Sequence, residues 1–201
     1  LIDNSGSMAS PVRVNEGTRL LDSNWTWCQK NAEHFYWEVS RYFPQGLTLV
    51  PFNHRFAVAR NARRPEIQEV FTKLKPNGGT DIAAPLSFVL DDYFARRARN
   101  PKVKPLAIAV MTDGHDSFNR IRDVVLDATA KMKHPREIKI TFLSIGDVKY
   151  GSPTLTALDN DLVDAGAAYD IVDTRYFDEI IQYGLKKMIV AALVESQAEK
   201  K

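Results

Sequence analysis

Apolar residues recur along this chain with two periods, near 3.6 and near 2, and the switches between them mark its elements. Leu21, Trp25, Cys28, Ala32, Phe35, Val39 and Phe43 step by three and four, which writes one stripe on a long helix ended by Pro44 and Gly46. Leu47 to Phe52 reads as a strand, with Phe56 to Ala59 as a short partner after the turn at Asn53 and His54. Pro51 has no N–H to give a ladder and belongs near a bulge or strand end. Pro65 to Leu74 predicts a short helix presenting Ile67, Val70, Phe71 and Leu74. Ile82 to Arg99 predicts a longer one, with Asp81 complementing the positive end of its dipole. The unbroken apolar run Leu106 to Met111 predicts a strand buried on both faces.

A helix through Ile121, Val124, Val125, Ala128 and Met132 follows, with Ser117 or Asn119 as its cap. Next come a strand over Ile138 to Ile145, a loop over Gly146 to Pro153, and a helix over Thr154 to Ala165. Tyr169 to Val172 reads as a short last strand, and Phe177 to Val194 as a final helix with Ile180, Ile181, Leu185, Met188, Ile189 and Ala192 inward. Ser10 to Asn15 reads as a polar loop, and the tail Glu195 to Lys201 as frayed.

Strands alternating with helices imply βαβ units and right-handed crossovers. The fold class is therefore α/β: a three-layer Rossmann-like open sheet, mostly parallel with one short antiparallel edge strand, and helices on both faces. With 201 residues, the chain is predicted to form a single domain over 1–201. Leu1 and Ile2 read as the end of a first strand that should begin several residues earlier, because strands commonly run about 5 to 6 residues.

Composition narrows the function classes. Apolar residues make up 44% and charged residues 26%, both globular values. A net charge of +2 is too small to argue for nucleic acid or an anionic membrane. The basic clusters Arg60, Arg63, Arg64 and Arg96 to Lys104 lack interleaved aromatics and read as solvated faces. No apolar run approaches the ~20 residues that would insert through a bilayer. Cys28, the single cysteine, leaves no internal disulfide and slightly favours a reducing, cytoplasmic compartment. The four histidines, His34, His54, His115 and His134, lack the close spacing of a zinc site.

The candidate chemistry lies in three short stretches. Asp3-Asn4-Ser5-Gly6-Ser7 follows the apolar pair Leu1-Ile2 and sets a carboxylate and two hydroxyls at alternate positions. Gly78-Gly79-Thr80-Asp81 places a further hydroxyl on a glycine-permitted turn, and Thr112-Asp113-Gly114 a further carboxylate at the end of the run Leu106 to Met111. Such stretches would converge at the carboxyl edge of a parallel sheet, where open α/β folds place their ligands. Oxygen donors of this kind suit hard cations, and Mg²⁺ asks for near-octahedral geometry with several waters.

In this order the motifs resemble a von Willebrand factor type A (vWA) domain with a complete metal-ion-dependent adhesion site (MIDAS): Asp-x-Ser-x-Ser, a Thr in a Gly-rich loop, and an Asp in Thr-Asp-Gly. The resemblance implies a metal site of Asp3, Ser5, Ser7, Thr80 and Asp113. Ser5, Ser7 and Thr80 would be direct neutral ligands, and Asp3 and Asp113 would bind directly or through water. It implies a divalent cation, Mg²⁺ first, with Mn²⁺ or Ca²⁺ as alternatives. It also implies a non-enzymatic module whose partner is a protein presenting an Asp or Glu side chain. His115 and Asp116 would then stand at the rim.

Two rival readings are available. Leu1-Ile2-Asp3 at a strand end also resembles the start of a haloacid-dehalogenase phosphoryl-transfer motif, but that family needs a second Asp two positions on, where Ser5 stands. The chain could also be the docking arm of an ATPase-containing assembly. The sequence leaves the oligomeric state open.

Overall fold

The computed structural model describes residues 1–15, 18–113, 116–146 and 152–187, the side chains of 12–22 excepted. Its centre is a five-stranded parallel sheet in the order β5-β1-β7-β8-β9, formed by β1 (Ile2–Asp3), β5 (Pro51–Phe52), β7 (Leu106–Thr112), β8 (Ile138–Ser144) and β9 (Val172–Arg175). Beside it, β4 (Leu47–Leu49) runs into β5 through Val50, whose carbonyl accepts from Ile2 N at 2.9 Å. The fourth strand pairs antiparallel with β6 (Ala59–Ala62), an antiparallel edge strand as expected, but one that begins where the predicted partner Phe56 to Ala59 ends; Phe56 makes only an isolated bridge to Phe52. Pro51 stands at the first residue of β5, where this edge line is interrupted and no N–H is required.

Alternation along the strands divides the core into two layers. Ile108, Val110, Ile140 and Phe142 join Leu86, Ile121, Val125 and Leu155 on one face. Those last four belong to α3 (Ala83–Arg99), α4 (Phe118–Lys131) and α5 (Pro153–Asn160). Ile2, Met111, Leu143 and Ile145 join Trp25, Cys28, Ile67, Phe71 and Phe177 on the other. These come from α1 (Asn24–Val39), α2 (Arg64–Lys73) and α6 (Phe177–Tyr183). Each fully buried Leu, Ile or Phe stabilises the fold by roughly 1.5–3 kcal/mol, so the continuous apolar runs read from sequence serve both layers. The chain passes from β1 to β5 on one side and then to β7 on the other. The sheet's switch point thus lies between β1 and β7, and open α/β sheets bind ligands in the crevice at such a point.

Several boundaries depart from the sequence reading. The predicted polar loop over Ser10 to Asn15 is instead the first strand of an antiparallel pair, β2 (Pro11–Asn15) and β3 (Thr18–Ser23). The period-two alternation of β-branched Val12 and Val14 around Arg13 explains the difference. Leu21 therefore belongs to a strand, and α1 starts only at Asn24, where the Ser23 hydroxyl accepts from Thr26 N at 3.2 Å. That helix ends at Val39, which leaves Phe43 half-exposed in the turn beyond it.

The last strand is displaced to Val172–Arg175, because its ladder to β8 begins at the pair Ile140 and Val172. Its preceding helix stops at Asn160, short of Ala165. The predicted final helix is interrupted: α6 ends at Tyr183, because Gly184 takes φ 80° and its N–H bonds back to Ile180 O, and helix resumes over 185–187. Ile181, expected inward, is 40% exposed. Met188, Ile189 and Ala192, and the tail 195–201, lie outside the described residues.

Candidate metal centre

β1 delivers Asp3 to the switch point, and the carboxylate is held from two sides. Asp3 is fully buried; its Oδ1 accepts from Ser5 N at 2.8 Å and its Oδ2 from Thr112 Oγ1 at 2.7 Å. The first bond turns the chain sharply after the strand, and the second ties the turn to β7. Ser5, also buried, places its Oγ 3.1 Å from Ser7 Oγ at the start of a 3₁₀ turn over Gly6–Ala9.

The glycine-rich stretch is stitched onto this turn by backbone. Asn77 N donates to Asn4 O at 2.9 Å, and Gly6 N donates to Gly78 O at 2.9 Å. Asn53 braces the same loop from the next strand end, with Nδ2 donating to Asn77 O at 3.1 Å and its carbonyl accepting from Asp81 N at 2.9 Å. Gly78 sits at φ +71°, and a Cβ there would stand 2.5 Å from His54 Nδ1. Gly78→Ala is accordingly expected to shift the loop and to destabilise the protein by more than ~1 kcal/mol, read as a lower urea midpoint. Thr80 follows two residues later, half-buried, and its hydroxyl makes no hydrogen bond to the described residues.

Asp113 is the first residue after β7, next to the Thr112 that bonds Asp3. Its Oδ1 is buried and has no hydrogen-bond partner among the described residues. Burial raises the Asp3 pKa above its ordinary 3.8; bonds from Ser5 and Thr112 oppose the shift, and the Asp113 charge adds to it. Beneath the pair, the buried Cys28 thiol is pushed well up, by burial first and then by the charges of Asp3 and Asp113. Two carboxylates ~6 Å apart at an effective dielectric of 20 would repel by roughly 3 kcal/mol.

Asp3, Ser5 and Ser7 are thus in one turn, Asp113 is on the neighbouring strand end, and Thr80 is on a loop bonded to that turn. All five are oxygen donors, and no group of three or more His, Cys, Asp or Glu able to hold a metal occurs among the described residues. The Asp113 oxygen, unpartnered among the described residues, and the Thr80 hydroxyl fit a cation that would complete them.

Several residues here were missed by sequence reasoning. Thr112 orients Asp3, and the signal for it was a hydroxyl residue at a buried strand end directly before Asp113. Asn53 and Asn77 carried no periodic signal at all. Asp81 does stand at the start of α3, where Oδ1 accepts from Ala84 N at 3.1 Å. Asp116 Oδ2 accepts from Ile82 N at 2.6 Å, so its carboxylate is spent on that helix start. His115, the other expected rim residue, lies outside the described residues.

No protein-family model matches the sequence, and no curated protein is similar to it. Solved structures are similar in fold. An aerotolerance-related membrane protein from Bacteroides fragilis superposes with TM-score 0.55 at 13% identity, over 94% of this chain and 96% of that one. The PilB minor pilin of Streptococcus sanguinis gives 0.57 at 14% identity, over 98% of this chain and 60% of the pilin. Manganese-loaded TRAP protein of Plasmodium vivax gives 0.54 at 14% identity, over 90% of this chain and 68% of that one. The chain has a vWA-like fold.

Proposed function

We propose that residues 1–201 form a single vWA-like, non-enzymatic protein-binding module with a MIDAS-type centre, in which Asp3, Ser5, Ser7, Thr80 and Asp113 hold a divalent cation, Mg²⁺ foremost. The observation that carries the reading is Asp113 Oδ1, buried beside a second acidic group without a donor. A buried polar atom left unpaired costs about 1–3 kcal/mol, more when charged, and a cation at this position would remove that cost. The manganese-loaded neighbour supports a divalent cation in this fold.

Roles follow from the contacts. Ser5 and Ser7 would present neutral oxygens from one turn. Asp3, fixed by Ser5 N and Thr112, would hold its charge in place without swinging. Thr80 would close the opposite side from the glycine loop. When bound, the cation would supply an electrophilic position for an Asp or Glu side chain of a protein partner: two carboxylates balance its charge, but with most of its ligands neutral oxygens it would stay electrophilic. Asp3 lacks the second Asp two residues on that a haloacid-dehalogenase acid would need, and Ser5 stands there bonded to Ser7.

Calorimetric titration of chelator-treated protein with Mg²⁺, Mn²⁺ and Ca²⁺ tests the reading, with Asp3→Ala alongside. One saturable site on the wild type that the substitution removes is the expected result. Equal heats from both proteins would overturn it.

A further inference from the structure

One buried polar atom on the flank of this centre has no role in the proposed ligand set. Asn24, the first residue of α1, is 3% exposed, and its Oδ1 has no hydrogen-bond partner among the described residues. Three contacts fix where it stands. Its backbone N donates to Ser10 O at 2.9 Å, at the end of the turn that carries Ser7. Its Nδ2 lies 3.4 Å from the place a Cβ on Gly146 would take, just beyond the end of β8. Gly146 follows Ile145, whose N–H donates to Thr112 O at 2.8 Å, and Asp113 is the next residue along.

Cys28 lies one turn further down the same face of α1, near enough for the charges of Asp3 and Asp113 to bear on its thiol. Asn24 therefore stands at the end of the sheet that carries the carboxylate pair, on the α1 side. Two buried oxygens without donors, Asn24 Oδ1 and Asp113 Oδ1, occupy the same end of the sheet. Two acceptors cannot satisfy each other, so each needs a donor or a cation. Mg²⁺ retains several waters when proteins bind it, and those waters are donors.

We propose that Asn24 is a positioning residue of the metal centre, its Oδ1 accepting from the water that accompanies a divalent cation on the Asp113 side. The inference rests on the metal-centre reading above. Partners of this outer kind orient a site's inner groups, and their loss typically weakens metal binding by about 10- to 100-fold.

Melting in chelator and Mg²⁺ calorimetry on wild type, Asn24→Leu, Asn24→Ala and Asn24→Asp test it. Asn24→Leu replaces a buried amide whose oxygen is unpaired with a side chain of similar size, so its melting point in chelator is expected to be no lower than wild type, while its Kd for Mg²⁺ weakens about 10-fold. Asn24→Ala gives the same affinity loss should leucine not fit. Asn24→Asp keeps the acceptor oxygen and is expected to bind Mg²⁺ at least as tightly as wild type. It should nevertheless melt lower in chelator, because a third carboxylate joins two others. Wild-type affinity in both Asn24→Leu and Asn24→Ala overturns the inference, and so does an equal weakening in Asn24→Asp, which would mark a packing role alone. Absence of any saturable Mg²⁺ or Mn²⁺ binding by the wild type would overturn the metal centre itself and this role with it.

Discussion

Mg²⁺ at a free concentration about 100 times its Kd is expected to stabilise the protein by roughly 2.7 kcal/mol over the chelator-treated form. For a chain of this size that corresponds to a melting temperature about 5–10 °C higher. The effect should depend on pH in a sense that the Asp3 environment fixes. Burial raises the folded-state pKa of Asp3 above 3.8, so the metal-free native state favours the protonated acid. Its contribution to metal-free stability is complete below the unfolded value and is lost as pH rises through the folded one. The increment supplied by Mg²⁺ should therefore grow over the same interval. Asp3→Asn keeps an oxygen for Ser5 N and gains an amide able to donate to Thr112 Oγ1. In chelator at neutral pH it should melt at or above wild type, with the Mg²⁺ increment gone. Identical melting of wild type with and without Mg²⁺ or Mn²⁺ would count against an occupied site.

Glu137→Ala is expected to cost about 3–5 kcal/mol, the range for removing one partner of a buried ion pair. Glu137 is 4% exposed and stands directly before β8, at the end of the sheet opposite the candidate metal centre. Its Oε1 accepts from Arg97 Nη1 and from Tyr93 OH at 3.3 Å, and its Oε2 accepts from Lys133 N at 2.7 Å. Arg97 Nη2 in turn donates to Lys131 O at 2.9 Å. One carboxylate thereby joins α3, the end of α4 and the start of β8. Truncating it leaves a partly buried guanidinium without its charge partner and Lys133 N without an acceptor.

Burial by itself would raise the Glu137 pKa. The Lys133 N–H and the Arg97 charge outweigh it, and the net shift is below 4.5. A depressed carboxylate stabilises above its unfolded pKa and loses that contribution as pH falls through the folded one. Wild type should thus show an acid-induced loss below pH 4.5 that is reduced in Glu137→Ala, measured by urea unfolding across pH. The double change Arg97→Met/Glu137→Met should recover part of the loss, since apolar replacements avoid stranding a charge. An unchanged urea midpoint in Glu137→Ala would refute the bridging role.

The sequence alone was enough for the alternation of sheet strands and helices, though not for the hairpin of β2 and β3, and for the stretches of candidate chemistry. Leu106 to Met111 and Ile138 to Ile145 are legible as strands because a buried parallel strand must be apolar throughout, whatever its neighbours are. The helical stripes through Ile67 and Phe71, and through Ile121 and Val125, are legible because one face of each must be covered. Asp3, Ser5, Ser7, Thr80 and Asp113 could be named because cation chemistry requires oxygen-bearing residues at turns, and their spacing is written locally.

Tertiary structure decided what depends on neighbours in space. The last strand runs over Val172–Arg175 because β8 offers its ladder there, and no local preference distinguishes this register from Tyr169 to Val172. Phe43 continues the α1 spacing yet lies outside the helix, since periodicity does not reveal where packing stops. Thr112 and Asn24 acquire their meaning only when β1, β7 and the start of α1 meet. Hydrogen bonding acts over about 3 Å, whereas these residues lie far from their partners along the chain, so the fold alone brings a hydroxyl to Asp3 and sets Asn24 against Ser10 and Gly146.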